Sequence, residues 1–141
     1  MNRRSPGARE TTGPPVGAAE PVRDFALALE RRRSGTAVLV LGGELDLYRA
    51  PEVENALAEA IGGQIPGEEV RRLTVDLRSV TFIDSTMLVT LLAASQRQHA
   101  RGAELLILVG PQTPMTALEV TGFDRLLSIR RVDDDPRESA A

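Results

Sequence analysis

Three times in succession an apolar run of strand length is followed by a segment that reads as a helix, twice from apolar residues at helical spacing and once from its end signals, and this alternation limits the possible folds more than any other feature. "TAVLVLGG" (36–43) precedes a stretch in which Val53, Ala56, Leu57, Ala60 and Ile61 keep the i, i+3, i+4, i+7, i+8 spacing of one buried helix face. Pro51 suits the first helical position, Glu52 and Glu54 complement the positive helix start, and Gly62 and Gly63 end the helix. "RRLTVDL" (71–77) then alternates Leu73, Val75 and Leu77 with polar neighbours, as a strand does. "VTFIDS" turns the chain into a second helix, with Leu88, Leu91, Leu92 and Ser95 on one face, closed by Arg101 and Gly102. "AELLILVG" (103–110) reads as a buried parallel strand. A third helix is predicted with Thr113 as cap, Pro114 at its first position, Gly122 at its close and Phe123 in the apolar contact beyond it. "RLLSIRRV" (125–132) is the last strand.

Upstream of these units Phe25, Leu27 and Leu29 alternate, and "RRRSG" supplies a polar turn into the 36–43 run, so the first two strands form a hairpin. Arg31, Arg32 and Arg33 are expected as solvated charges in that turn. The order β-β-α-β-α-β-α-β, with right-handed crossovers joining the later strands, predicts a single α/β domain with a mixed β-sheet and packed helices over residues 22–132. With 141 residues, 42% of them hydrophobic, the chain can bury one core of ordinary size. Residues 1–21 hold Gly, Pro, Ala and charge with little to bury, which predicts a disordered N-terminal tail. Residues 133–141 turn acidic and are expected to be flexible.

Composition removes most catalytic chemistries. The chain has no Cys, which excludes disulfides, thiolate metal sites and cysteine nucleophiles. Its one histidine, His99, lies at the far end of the second helix from Ser85, so neither a histidine metal site nor a Ser-His-Asp triad is expected. Gly42 and Gly43 follow an apolar strand but complete no phosphate-loop pattern, and the chain has no Lys for one; they read as a tight turn off a strand end. The reading is of a protein that is not an enzyme and needs no metal or cofactor. A formal charge of −3 offers no basic face for nucleic acid. No apolar run approaches the roughly 20 residues that span a bilayer, and the N-terminus lacks the apolar centre of a signal peptide, so a cytoplasmic protein without membrane insertion is expected.

The residues left with chemical potential sit where strands turn into helices. Asp46 follows "GGEL", and Asp84, Ser85 and Thr86 stand in "TFIDSTMLVT". Each has a purely structural use, since an Asp or Ser at a helix start accepts a hydrogen bond from an unpaired N–H and contributes about 1 kcal/mol.

"GELD", "LTVDLRSVTFIDSTMLVTLL" and "PQTPMTALEVTGFDRLLSI", in this order and spacing, resemble the STAS domain of bacterial anti-sigma factor antagonists over residues 25–132. The resemblance implies a STAS-type domain that captures an anti-sigma factor, often itself a serine-protein kinase, and is switched by phosphorylation. The phosphorylated position corresponds to Ser85, with Thr86 as second candidate, and the partner-binding set to Asp46, Asp84, Ser85, Thr86 and Met87. The family usually has Gly where this chain has Met87. Met87 is therefore either an ordinary core side chain in a firmer helix or a bulk that changes what docks or phosphorylates here. Other uses of such domains are an accessory subunit of a membrane transporter and a ligand-sensing module that is not phosphorylated.

Overall fold

In a computed structural model, the structure describes residues 25–62 and 69–133. Its strands are β1 (Phe25–Arg32), β2 (Thr36–Leu45), β3 (Arg72–Ile83), β4 (Glu104–Val109) and β5 (Ser128–Arg131). Its helices are α1 (Ala50–Ile61), α2 (Ser85–Ala100) and α3 (Met115–Thr121), with short 3-10 turns at Leu47–Arg49 and Phe123–Arg125. The five strands lie in sequence order, β1 antiparallel to β2 and every later pair parallel. The expected element order and mixed sheet are found. The tails expected at 1–21 and 133–141 fall outside the described residues, apart from Asp133.

Parallel strands laid down in sequence order by crossovers of one hand place every helix on the same face of the sheet. Burial follows from that arrangement. Leu39, Leu41, Leu73, Val75, Leu105 and Ile107 are buried under the helices, whereas the alternate positions Val38, Val40, Thr74, Leu106 and Leu108 are only partly covered on the open face. On the helix side, α1 and α2 pack together, and α2 also meets β4 and α3.

Several local expectations are corrected. β1 continues through Arg32, so only Arg33 remains at the turn. Arg31 donates to the Glu59 carbonyl of α1 at 2.8 Å, and Arg32 pairs with Glu30 at 2.8 Å. Gly42 and Gly43 do not leave the strand. They lie within β2 beside two shifts in its register with β3, and the positive φ of Gly43, 81°, is what a glycine supplies at a bulge. Along β2 the step from Val40 to Leu45 covers five residues, and their partners Asp76 to Ile83 cover seven, so β3 carries two extra residues. At the first irregularity the Asp76 carboxylate accepts from the Arg78 backbone N–H at 3.0 Å and from its guanidinium at 2.9 and 3.0 Å. That bidentate pair satisfies a carboxylate only 6% exposed.

Thr113 does not cap α3, which begins at Met115 behind Pro114 with no side-chain cap. Its hydroxyl, buried, donates to the Leu77 carbonyl at 2.8 Å and accepts from the Gly110 N–H at 2.9 Å. The loop after β4 is thereby fastened to β3. Gly122 closes α3 as expected, in the left-handed conformation at φ 79°. The last strand is shorter than predicted, because Phe123–Arg125 forms a 3-10 turn first.

Thr113→Val keeps the shape and removes both hydrogen bonds, leaving a buried carbonyl and N–H unpaired at a cost of about 1–3 kcal/mol. Its melting temperature is expected to fall by roughly 4–8 °C per kcal/mol in a domain of this size. An unchanged melting curve would show that the loop is not held through this hydroxyl.

Candidate functional site

Leu45 and Ile83 are the last register partners of β2 and β3. The ladder extends one bond further, from the Asp84 N–H to the Leu45 carbonyl at 3.2 Å. Asp46 and Asp84 are thus the first residues beyond two strands that end side by side. Both have extended backbones (φ −107°, ψ 179° and φ −102°, ψ 175°) and both open a helical segment. Asp46 accepts from the Tyr48 N–H at 3.1 Å, and Asp84 from the Met87 N–H at 3.0 Å. The two sequence-predicted acids are therefore brought together, each with one carboxylate oxygen engaged by its own chain.

A helix start leaves four N–H groups without intrahelical acceptors. At α2 the Asp84 N–H goes to Leu45 and the Met87 N–H to the Asp84 carboxylate. The amides of Ser85 and Thr86 are left open, and no described residue accepts from them. Both side chains are exposed, and neither hydroxyl is bonded to a described residue. The site thus offers two free hydroxyls at the positive end of a 16-residue helix, with two carboxylates beside them.

Met87 requires a correction as a partner-facing residue. Its side chain is fully buried in the core, at 0% exposure, so it cannot touch anything docked over Ser85. Of the two readings of the Gly-to-Met departure, the ordinary core side chain is the one that the packing shows. His99 is exposed in the last turn of α2, about 21 Å along the helix from Ser85 at 1.5 Å per residue. Among the described residues no group of three or more His, Cys, Asp or Glu side chains could hold a metal ion.

Sequence reasoning missed the exposed apolar side chains in the segments on either side of this turn. Leu47 is 54% exposed, Tyr48 79%, Phe82 48% and Val89 56%. One signal was present: Phe82 and Ile83 are adjacent in a strand, so one of them has to face away from the core.

A family model described as "Mlab, STAS domain" matches residues 28–128. The chain belongs to the STAS domain family. This STAS domain is similar to the anti-sigma-B factor antagonist of Listeria monocytogenes, 26% identical over 112 residues that make up 79% of this chain and 94% of that protein. It is also similar to the anti-sigma-F factor antagonist RsfB of Mycobacterium tuberculosis, 36% identical over 64 residues, 45% of this chain and 48% of that one. Its fold is shared with an anti-sigma factor antagonist from Mycobacterium paratuberculosis (TM-score 0.65, 21% identity, 82% of this chain and 92% of that chain). The antagonist SpoIIAA in its unphosphorylated form has the same fold (TM-score 0.61, 20% identity, 82% of this chain and 93% of that chain).

Two pairs of substitutions separate the structural from the surface roles in this STAS domain. Asp84→Ala is expected to lose about 1 kcal/mol in chemical denaturation, while Asp84→Asn, which can still cap, stays within a few tenths. Met87→Gly is expected to destabilise by about 3 kcal/mol or more, through an emptied core position and a helical glycine. Met87→Leu is expected to cost less than about 1.5 kcal/mol. Equal stability of Met87→Gly and wild type would contradict the packing described.

Proposed function

We propose that this STAS domain is an anti-sigma factor antagonist whose Asp46–Ser85 end binds an anti-sigma factor of the serine-kinase type, and that phosphorylation of Ser85 by that kinase ends the binding. The observation that carries the reading is the placement of Ser85: an exposed, unbonded hydroxyl at the first position of α2, beside amides that nothing described accepts from. Two further facts support it. The similar Listeria and Mycobacterium proteins are named as antagonists, and the shared SpoIIAA fold has been solved in a phosphorylated as well as an unphosphorylated form. The consequence is control of sigma-factor-dependent transcription from the cytoplasm. Thr86, also exposed, is the second acceptor.

The physics of the switch separates folding from binding. In the transfer the Ser85 Oγ bonds to the terminal phosphorus of a nucleoside triphosphate held by the kinase. The bond to the nucleoside diphosphate breaks, and the hydroxyl proton passes to a kinase base. The phosphoserine carries roughly −1.5 to −2 charges and three acceptor oxygens. The open amides of Ser85 and Thr86 and the helix start stabilise that charge by about 0.3–1 kcal/mol, so the domain stays folded. A partner packed over the same turn meets added bulk and a dianion next to Asp84 and Asp46. A mismatch of about 3 kcal/mol weakens binding on the order of a hundredfold.

The test uses purified anti-sigma factors of the serine-kinase type from the source organism, with wild type, Ser85→Ala and Ser85→Asp as binding partners. Wild type and Ser85→Ala are expected to bind one of them alike, and Ser85→Asp about a hundredfold more weakly with an unchanged melting temperature. With the kinase and ATP, wild type gains one phosphoryl mass at Ser85. Equal binding by all three proteins would refute the gate. Membrane transporter subunits held equally by wild type and Ser85→Asp would assign the domain to transport instead.

A further inference from the structure

The described residues include seven large hydrophobic side chains that are exposed, and four of them, Leu47, Tyr48, Phe82 and Val89, lie in the segments that meet at the adjoining ends of β2 and β3, where Ser85 begins α2. Their placement follows from the local structure. Leu47 and Tyr48 lie in the 3-10 turn that Asp46 caps. Phe82 pairs in register with Glu44 at the end of the sheet, one residue before Ile83. Val89 lies one turn beyond Ser85 along α2, on the same stripe of the helix. Tyr48, at 79%, is more exposed than any buried-core function could explain. Apolar groups gathered at one place on a surface mark an interaction site more than scattered ones do.

Charge specifies what the patch fits. The two stretches that build it, 44–54 and 82–89, contain Glu44, Asp46, Glu52, Glu54 and Asp84, against Arg49 as their one basic residue. Arg49 is already engaged, its guanidinium 3.3 Å from Glu52 and 4.8 Å from the Phe25 ring centre. The outward field at this end of the molecule is therefore negative.

From these observations we infer that the Ser85 turn is the centre of an apolar anchor surface, with Tyr48 and Phe82 as its main anchors, and that its partner is a protein presenting an apolar cleft rimmed by arginine or lysine. This inference rests on the antagonist reading above and names the chemistry of the surface which that reading uses. Aromatic anchors at the centre of an interface carry most of its affinity once surrounding contacts exclude water. The acidic rim sets the approach of the partner and its rate of association. The position of Ser85 among the anchors adds a consequence: a dianion there stands within a dry, apolar contact that is surrounded by carboxylates.

The experiment measures binding kinetics of the anti-sigma factor that wild type binds, with Tyr48→Ser, Phe82→Ser and, as control, Val120→Ser, which changes an equally exposed side chain on α3. Tyr48→Ser and Phe82→Ser are each expected to raise Kd about tenfold or more through faster dissociation, and Val120→Ser to leave it unchanged. Rising salt is expected to slow association. Because Tyr48 is the only tyrosine, 3-fluorotyrosine incorporation gives one fluorine resonance. It is expected to shift or broaden on adding the anti-sigma factor to wild type, and not on adding it to Ser85→Asp. Tyr48→Ser and Phe82→Ser binding like wild type, or an unmoved fluorine resonance in a formed complex, would overturn the anchor surface and leave the antagonist reading standing. Faster association at high salt would overturn the basic cleft. Wild type binding no anti-sigma factor would overturn the antagonist reading and the anchor surface with it.

Discussion

The parallel pairing of β2 with β3, carried to the last residue of each strand, is the constraint on which the rest depends. Because Leu45 and Ile83 are partners and the Asp84 N–H still reaches the Leu45 carbonyl, two helical segments must start from adjacent points. An aspartate at each of those points satisfies a local N–H and fixes the direction of the turn. The same geometry that finishes the sheet therefore sets two carboxylates, two free hydroxyls and a helix start within one small area. Placing functional groups beyond the carboxyl ends of parallel strands is a general property of such sheets.

Much of this was legible because the period of the apolar pattern switches between two and 3.6 at element boundaries, as at Ile61 and Val109. What was not legible has identifiable physical causes. Thr113 looks like a helix cap, but a buried hydroxyl went to the stronger demand of Leu77 and Gly110, which local pattern does not reveal. Gly42 and Gly43 look like a turn, but a glycine at positive φ serves a bulge within a strand equally well. At the site, Asp46, Asp84, Ser85 and Thr86 were findable from motif and position. Tyr48 and Leu47 were not, since an apolar residue in a short turn has no periodicity to violate.

Met87 shows how a departure from a family pattern can lie beneath a surface without altering it. Its backbone N–H serves the Asp84 cap and its side chain fills the core, so the residue supports the turn from inside. Ser85 and Thr86 face outward from that support. Rigidity below and exposure above are separate properties of neighbouring residues, which allows charge to be added to one without loosening the other.

The two extra residues of β3 bear on how this sequence can change over generations. Each bulge residue inverts the inside and outside phases of the strand beyond it, and the second restores what the first reversed. Val80 stays buried only while the first is present, and Phe82 stays exposed and Ile83 buried only while both are. A lineage that lost one residue between Leu77 and Thr81 would turn Phe82 inward and Ile83 outward. Length variation in this segment should therefore be inherited in pairs, so that the aromatic surface beside Ser85 is kept or lost as a unit.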